Sequence, residues 1–175
     1  ITLLKQRILE IDDSKTIPEL REWWTSQLAP FEKPPMKGVS HRDLHVDANN
    51  TSIRIREFSP DGIGENAAAL VYLHGGGFTA FEIETYQSFC EFLAHTLGIK
   101  VFSVGYRLAP EYPFPIPLDD CCAAFDWVAS HAAELGIDPS RIAIGGDSAG
   151  GNMSAALCLK RRDAGQSLPK AQLLI

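Results

Sequence analysis

The sequence predicts an α/β protein in which a mostly parallel β-sheet carries helices on both faces. Short, largely apolar runs recur at 67–73, 101–104 and 141–144, as expected of buried strands, and a further one begins at 171–175. Between them, apolar residues return every three or four positions, the period of a helix with one buried face. Glycine or proline punctuates the joints, and strands alternating with helices imply parallel pairing through crossover connections.

Residues 1–38 read as a helical N-terminal arm, and 39–175 as the N-terminal part of the main domain. In the arm, Leu4, Ile8 and Ile11 fall at helical spacing, and a second amphipathic stretch runs from Pro18 to Leu28 with Trp23 and Trp24 as bulky anchors. Pro30, Pro34, Pro35 and Gly38 break any helix and mark a linker before an extended segment from Val39 to Val46. Ile53, Ile55 and Glu57 alternate with Arg54, Arg56 and Phe58, the period-two pattern of a strand with one face partly solvated, and Pro60-Asp61-Gly62 turns the chain.

After the buried strand from Ala67 to Leu73, Tyr86, Phe89, Cys90, Leu93 and Leu97 outline a helix that Gly98 stops. Val101 to Val104 is the next strand. Pro117 then opens a helix with Asp119 and Asp120 in its first turn, where carboxylates meet the positive end of the helix dipole. Leu118, Cys121, Cys122, Phe125, Ala129 and Ala132 supply its apolar face, and Gly136 closes it. Arg141 to Ile144 is a strand, Ala149 to Arg161 a helix, and Ala171 to Ile175 a further strand.

Composition narrows the function. With 175 residues, 45% of them hydrophobic, the chain is long enough to bury a core. The net charge of −6 comes from scattered acids, which argues against a nucleic-acid or anionic-membrane surface. Cys90, Cys121, Cys122 and Cys158 include no Cys-x-x-Cys pair and read as reduced core residues. Lys5, Arg7 and Glu10 interrupt any signal-peptide core, and no apolar run approaches the ~18 residues of a membrane span. A cytoplasmic location is the default expectation.

The chemistry concentrates in two glycine-rich motifs. Gly146-Asp147-Ser148-Ala149-Gly150-Gly151 follows a strand and precedes a helix, the setting of a Gly-x-Ser-x-Gly nucleophile elbow. Such a tight turn strains Ser148 and lifts its hydroxyl to the carboxyl edge of the sheet, against a helix N-terminus. The second motif, His74-Gly75-Gly76-Gly77-Phe78, ends an apolar strand and exposes backbone N–H groups. Gly75, Gly76 and Gly77 are candidate oxyanion donors together with Ala149, the residue after the serine.

Joined by Tyr106 to Pro115 (YRLAPEYPFP), these segments resemble the hormone-sensitive-lipase-like carboxylesterases of the α/β-hydrolase fold. The resemblance covers the chain from about Ala67 onward. It implies that Ser148 attacks the acyl carbon of a small ester and forms an acyl-enzyme, that Gly76, Gly77 and Ala149 hold the oxyanion, and that His74 supports the glycine loop. The family's order of nucleophile, acid and then histidine places the other triad members beyond Ile175, so Asp147 is not expected to be the triad acid. His41, His45, His95 and His131 are expected to be structural or exposed. Arg107 and Glu111 are expected to hold a proline-rich loop through local ion pairs.

No metal or cofactor is expected: no histidine or cysteine spacing suits zinc, and the glycine loop lacks the Lys and Ser/Thr of a phosphate-binding loop. The expected partners are an ester substrate and a C-terminal segment of the same protein, packed against the apolar edge at Leu173-Leu174-Ile175; a homodimer is compatible with the sequence. The alternative function, from a different class, is a small-molecule receptor on the same fold that has lost the catalytic histidine.

Overall fold

The computed structural model describes residues 14–28 and 34–175. In chain order the elements are α1 (Ile17–Leu28), β1 (Val39–Ala48), β2 (Thr51–Pro60), β3 (Ala67–Leu73), a 3-10 turn (Glu84–Tyr86), α2 (Gln87–Leu97), β4 (Lys100–Gly105), α3 (Ile116–Ser130), β5 (Ile137–Gly146), α4 (Ala149–Asp163) and β6 (Gln172–Leu174). The helical spacing of Leu4, Ile8 and Ile11 and the break at Pro30 lie outside the described residues. One six-stranded sheet runs in the order β1-β2-β4-β3-β5-β6. β4, β3, β5 and β6 are mutually parallel, while β1 and β2 add an antiparallel edge.

Alternation along the strands divides the core into two layers. Ala69, Val71 and Leu73 of β3 face α3 and α4, packing with Cys121, Phe125, Met153 and Leu157. Leu70 and Tyr72 face α2, against Cys90, Leu93 and Ala94. All four cysteines are free, and three are buried. Burial pushes the Cys90 thiol up to about 12 and Cys121 well above the usual thiol range, so both act as small apolar residues.

Several expectations need correction. The edge hairpin turns on Asn49 and Asn50, both at positive φ (53° and 55°), the backbone of a two-residue hairpin loop. Strand β2 is more buried than its charges suggested, because Arg56 reaches Asp43 and Glu84 while Glu57 sits between Arg42 and Lys100. Phe89 and Leu97 of α2 are exposed, and Glu91 is buried in their stead. Its carboxylate accepts the Met36 N–H at 2.9 Å and the Gln87 amide at 3.0 Å, anchoring the segment that leads into β1. Helix α3 ends at Ser130, ahead of Gly136, and His131 stacks on Trp127 past its end.

Candidate active site

Strand register brings the two motifs together. Leu73 of β3 pairs with Gly146 of β5, so His74 and Asp147, the next residue of each strand, leave the sheet side by side at its carboxyl edge. That rim is where open α/β sheets bind ligands.

Ser148 sits between β5 and α4 at φ 50°, ψ −117°. This left-handed conformation costs a residue with a side chain about 1–3 kcal/mol. The close approach explains the flanking glycines: a Cβ on Gly146 would overlap the Leu73 carbonyl, and one on Gly150 would overlap the Leu73 and His74 carbonyls. The Ser148 N–H donates to the Ile175 carbonyl at 2.8 Å, and the Ser148 carbonyl accepts from Asn152 N at 3.0 Å. Ser148 is exposed, and its hydroxyl has no hydrogen-bond partner among the described residues.

The glycine loop is tied to this turn through Asp147. Its Oδ1 accepts the Gly75 N–H at 3.0 Å and the Tyr72 hydroxyl at 2.8 Å, and its Oδ2 accepts the Tyr86 hydroxyl at 2.7 Å. Burial and the adjoining carboxylate raise both tyrosines above the usual phenol range, so they remain donors. Further along, Gly76 is at φ 117° and Gly77 at φ 61°. The Gly76 carbonyl accepts from Thr79 N at 3.1 Å and Ala80 N at 3.0 Å. Among the described residues, the N–H groups of Gly76, Gly77 and Ala149 have no partner, whereas that of Gly75 is engaged. The Gly75 N–H thus points at Asp147, while those of Gly76, Gly77 and Ala149 are left unengaged.

His74 is buried, stacked on Tyr106 with ring centroids 4.2 Å apart. Its Nδ1 lies 2.7 Å from the Gly75 carbonyl. Since a carbonyl only accepts, Nδ1 carries the proton there. The Tyr106 hydroxyl donates to the His74 carbonyl at 2.6 Å. Burial drives the His74 pKa down to about 4, so the ring is neutral near pH 7. The remaining histidines lie elsewhere: His41 and His45 on β1, His95 on α2 and His131 beyond α3. None of the hydrogen bonds or ring contacts of the five reaches Ser148.

One turn along α4 from Ser148 opens an apolar pocket of about 230 Å³, lined by Phe78 after the glycine loop, Phe114 and Leu118, and Asn152, Met153 and Ala156 of α4. The proline-rich loop on its rim is not held by local pairs as expected. Arg107 reaches the fully buried Asp120 of α3 at 2.7–2.8 Å, and Glu111 pairs with Arg21 of α1 at 2.6 Å. Among the described residues no cluster of three or more His, Cys, Asp or Glu could hold a metal. None of their helices is long and apolar enough to cross a membrane.

Sequence reasoning missed Tyr72, Tyr86 and Arg21, and weighed Asp147 only for another role. A tyrosine within the aliphatic β3 run was the available signal, since a buried hydroxyl needs a partner.

Residues 70–175 match a family described as having the alpha/beta hydrolase fold. The chain belongs to that family. Within it, the chain is hormone-sensitive-lipase-like, and its curated relatives carry carboxylesterase and lipase names. The carboxylesterase NlhH of Mycobacterium tuberculosis is 47% identical over 138 residues, which cover 78% of this chain and 42% of the relative. Lipase 2 of a Moraxella species is 50% identical over 168 residues, 86% of this chain and 38% of the relative. This alpha/beta hydrolase chain thus spans less than half the length of these relatives. Among solved structures, a bacterial heroin esterase superposes with a TM-score of 0.86 at 40% identity, covering 90% of this chain and 51% of the other. An esterase of the archaeon Pyrobaculum calidifontis gives 0.86 at 36% identity, covering 97% and 56%.

Proposed function

We propose that this chain supplies the nucleophile and oxyanion hole of a carboxylic ester hydrolase. The observation that carries the reading is the pairing of an exposed, strained Ser148, whose hydroxyl is unengaged, with unengaged N–H groups of Gly76, Gly77 and Ala149 on the adjoining loop and helix start. Ser148 Oγ attacks the acyl carbon, and the carbonyl oxygen becomes an oxyanion held by those amides and by the N-terminus of α4. Collapse of the tetrahedral species expels the alcohol and leaves an acyl-Ser148 ester, which water then hydrolyses.

His74 serves as a support for the glycine loop; its Nδ1 proton is engaged with the Gly75 carbonyl. The general base that takes the Ser148 proton, and the carboxylate that orients it, come in this reading from polypeptide of the same protein outside residues 1–175, as the greater length of the relatives allows. The apolar pocket one turn along α4 from Ser148 suits an uncharged, apolar group of a small ester. Residues 1–38 contribute a cap over the domain formed by residues 39–175; Trp24 of α1 meets Phe81, just past the glycine loop, with ring centroids 6.2 Å apart.

The test is to treat the full-length protein with a fluorophosphonate and map the adduct by mass spectrometry. Modification of Ser148, abolished by Ser148→Ala and accompanied by loss of p-nitrophenyl ester hydrolysis, is the expected result. A full-length protein that binds small esters or amides yet resists the reagent would be a receptor on this fold instead.

A further inference from the structure

Helix α1 touches the body of the domain at a mechanically specific place. Arg21 Nε donates to the Thr79 carbonyl at 2.5 Å, and its Nη2 donates to the Ala109 carbonyl at 2.6 Å. The same guanidinium grips Glu111 with both terminal nitrogens, at 2.9 and 2.6 Å. One side chain thereby ties the loop after the candidate oxyanion glycines to the proline-rich loop, which also lines the pocket. A further link joins the same two loops directly, from Ala109 N to the Phe78 carbonyl at 2.9 Å.

We propose that Arg21 is a positioning residue for the oxyanion donors, acting through the Thr79 carbonyl on the orientation of the Gly76–Gly77 peptide. The inference rests on the esterase reading above. The Gly76 carbonyl and the Gly77 N–H belong to one planar unit and point to opposite sides of it. Thr79 N and Ala80 N hold that carbonyl, and Arg21 holds the carbonyl of the Thr79–Ala80 peptide itself. The chain of contacts runs from α1 through a single turn to the donor N–H.

The fork geometry of arginine is essential, because one group must serve two carbonyls and a carboxylate in fixed directions. A lysine ammonium is a point charge and reaches fewer of them at once. Arg21 and Glu111 side chains are 26% and 44% exposed, and solvent-screened pairs of this kind add little to global stability. Their role is local: Glu111 orients the fork, and Arg21 correspondingly draws the Glu111 carboxyl below its usual range. The loop needs such a tether because Phe78 and Phe81 both adopt positive φ (66° and 71°), unfavourable for side-chain-bearing residues.

The experiment compares the full-length protein with its Arg21→Met and Arg21→Lys variants by hydrogen exchange and steady-state kinetics on p-nitrophenyl acetate. In Arg21→Met the Thr79 and Ala80 amides should exchange at least about tenfold faster, while β3 and β5 amides keep their protection. The kcat should fall about tenfold or more at nearly constant KM, since oxyanion contacts act in the transition state. Arg21→Lys should restore only a minor part of either effect. Unchanged exchange overturns the tether, and faster exchange with unchanged kcat overturns its coupling to the donors. If Arg21→Met does not fold, Glu111→Gln should raise the same exchange, and no change there overturns the proposal. A parent protein without esterase activity would defeat the functional reading, while the exchange arm still reports on the tether.

Discussion

The carboxylate of Asp147 accepts the backbone N–H of Gly75 at 3.0 Å, so the residue before the candidate nucleophile directly fixes the loop carrying the candidate oxyanion donors. Two tyrosine hydroxyls complete its shell. Asp147→Ala would orphan all three donors at once, and hydrogen bonds to a charged group contribute about 1.5–3 kcal/mol each. The expected loss is about 2–4 kcal/mol by urea unfolding, against about 1 kcal/mol for Tyr72→Phe. Equal losses for the two variants would show that the carboxylate is not the hub.

Glycine positions at the elbow should divide sharply by crowding. Gly150→Ala drives a methyl into the Leu73 and His74 carbonyls, whereas Gly64 has open space around it. Overpacking against rigid backbone costs about 3 kcal/mol or more at Gly150, and a change at Gly64 stays within about 0.5 kcal/mol. Thermal midpoints of the two alanine variants check this directly.

Ser148→Gly should raise stability while removing the candidate nucleophile. Glycine reaches φ 50° without the steric penalty that a Cβ meets there, so a gain of about 1 kcal/mol over Ser148→Ala is expected. Denaturant midpoints of the two variants measure the strain stored in the turn. Identical midpoints would place no strain at this residue.

Acidification should weaken the fold through His74. Its folded-state pKa of about 4 lies below the ordinary histidine value, so in the interval between them the unfolded chain binds a proton that the folded chain refuses. Stability is fully present above the unfolded pKa, declines as pH falls toward about 4, and loses about 3 kcal/mol across that window. Unfolding free energies measured in steps from pH 7 to pH 4 should show this slope, and His74→Asn should flatten it.

What the sequence made legible was chemistry local to the backbone. The glycine motifs could be read because positive φ and close approach demand small residues at set offsets. Strands β3 and β4 could be read because both their faces are buried. The β1–β2 edge was harder, since Arg42, Asp43, Arg56 and Glu57 look solvated until they are seen pairing with one another and with Lys100 and Glu84. Asp147 and Arg21 escaped for a related reason: each works through partners from distant segments, and nothing in the spacing of a lone charge names the carbonyl or hydroxyl it will meet. Glu91 is the same lesson inside a helix, a charge on the inner face because a backbone amide waits there.

The turn at Ser148 does not close on itself. Its amide is held by the carbonyl of Ile175, whose own N–H returns to Gly146, so the whole of α4 intervenes between the hydroxyl and the backbone that braces it. During synthesis the emerging chain can form β5 and begin α4 well before that brace leaves the ribosomal tunnel. The strained, braced geometry at the serine is therefore a late event in the life of the nascent polypeptide, reached only after the sheet has grown past β5.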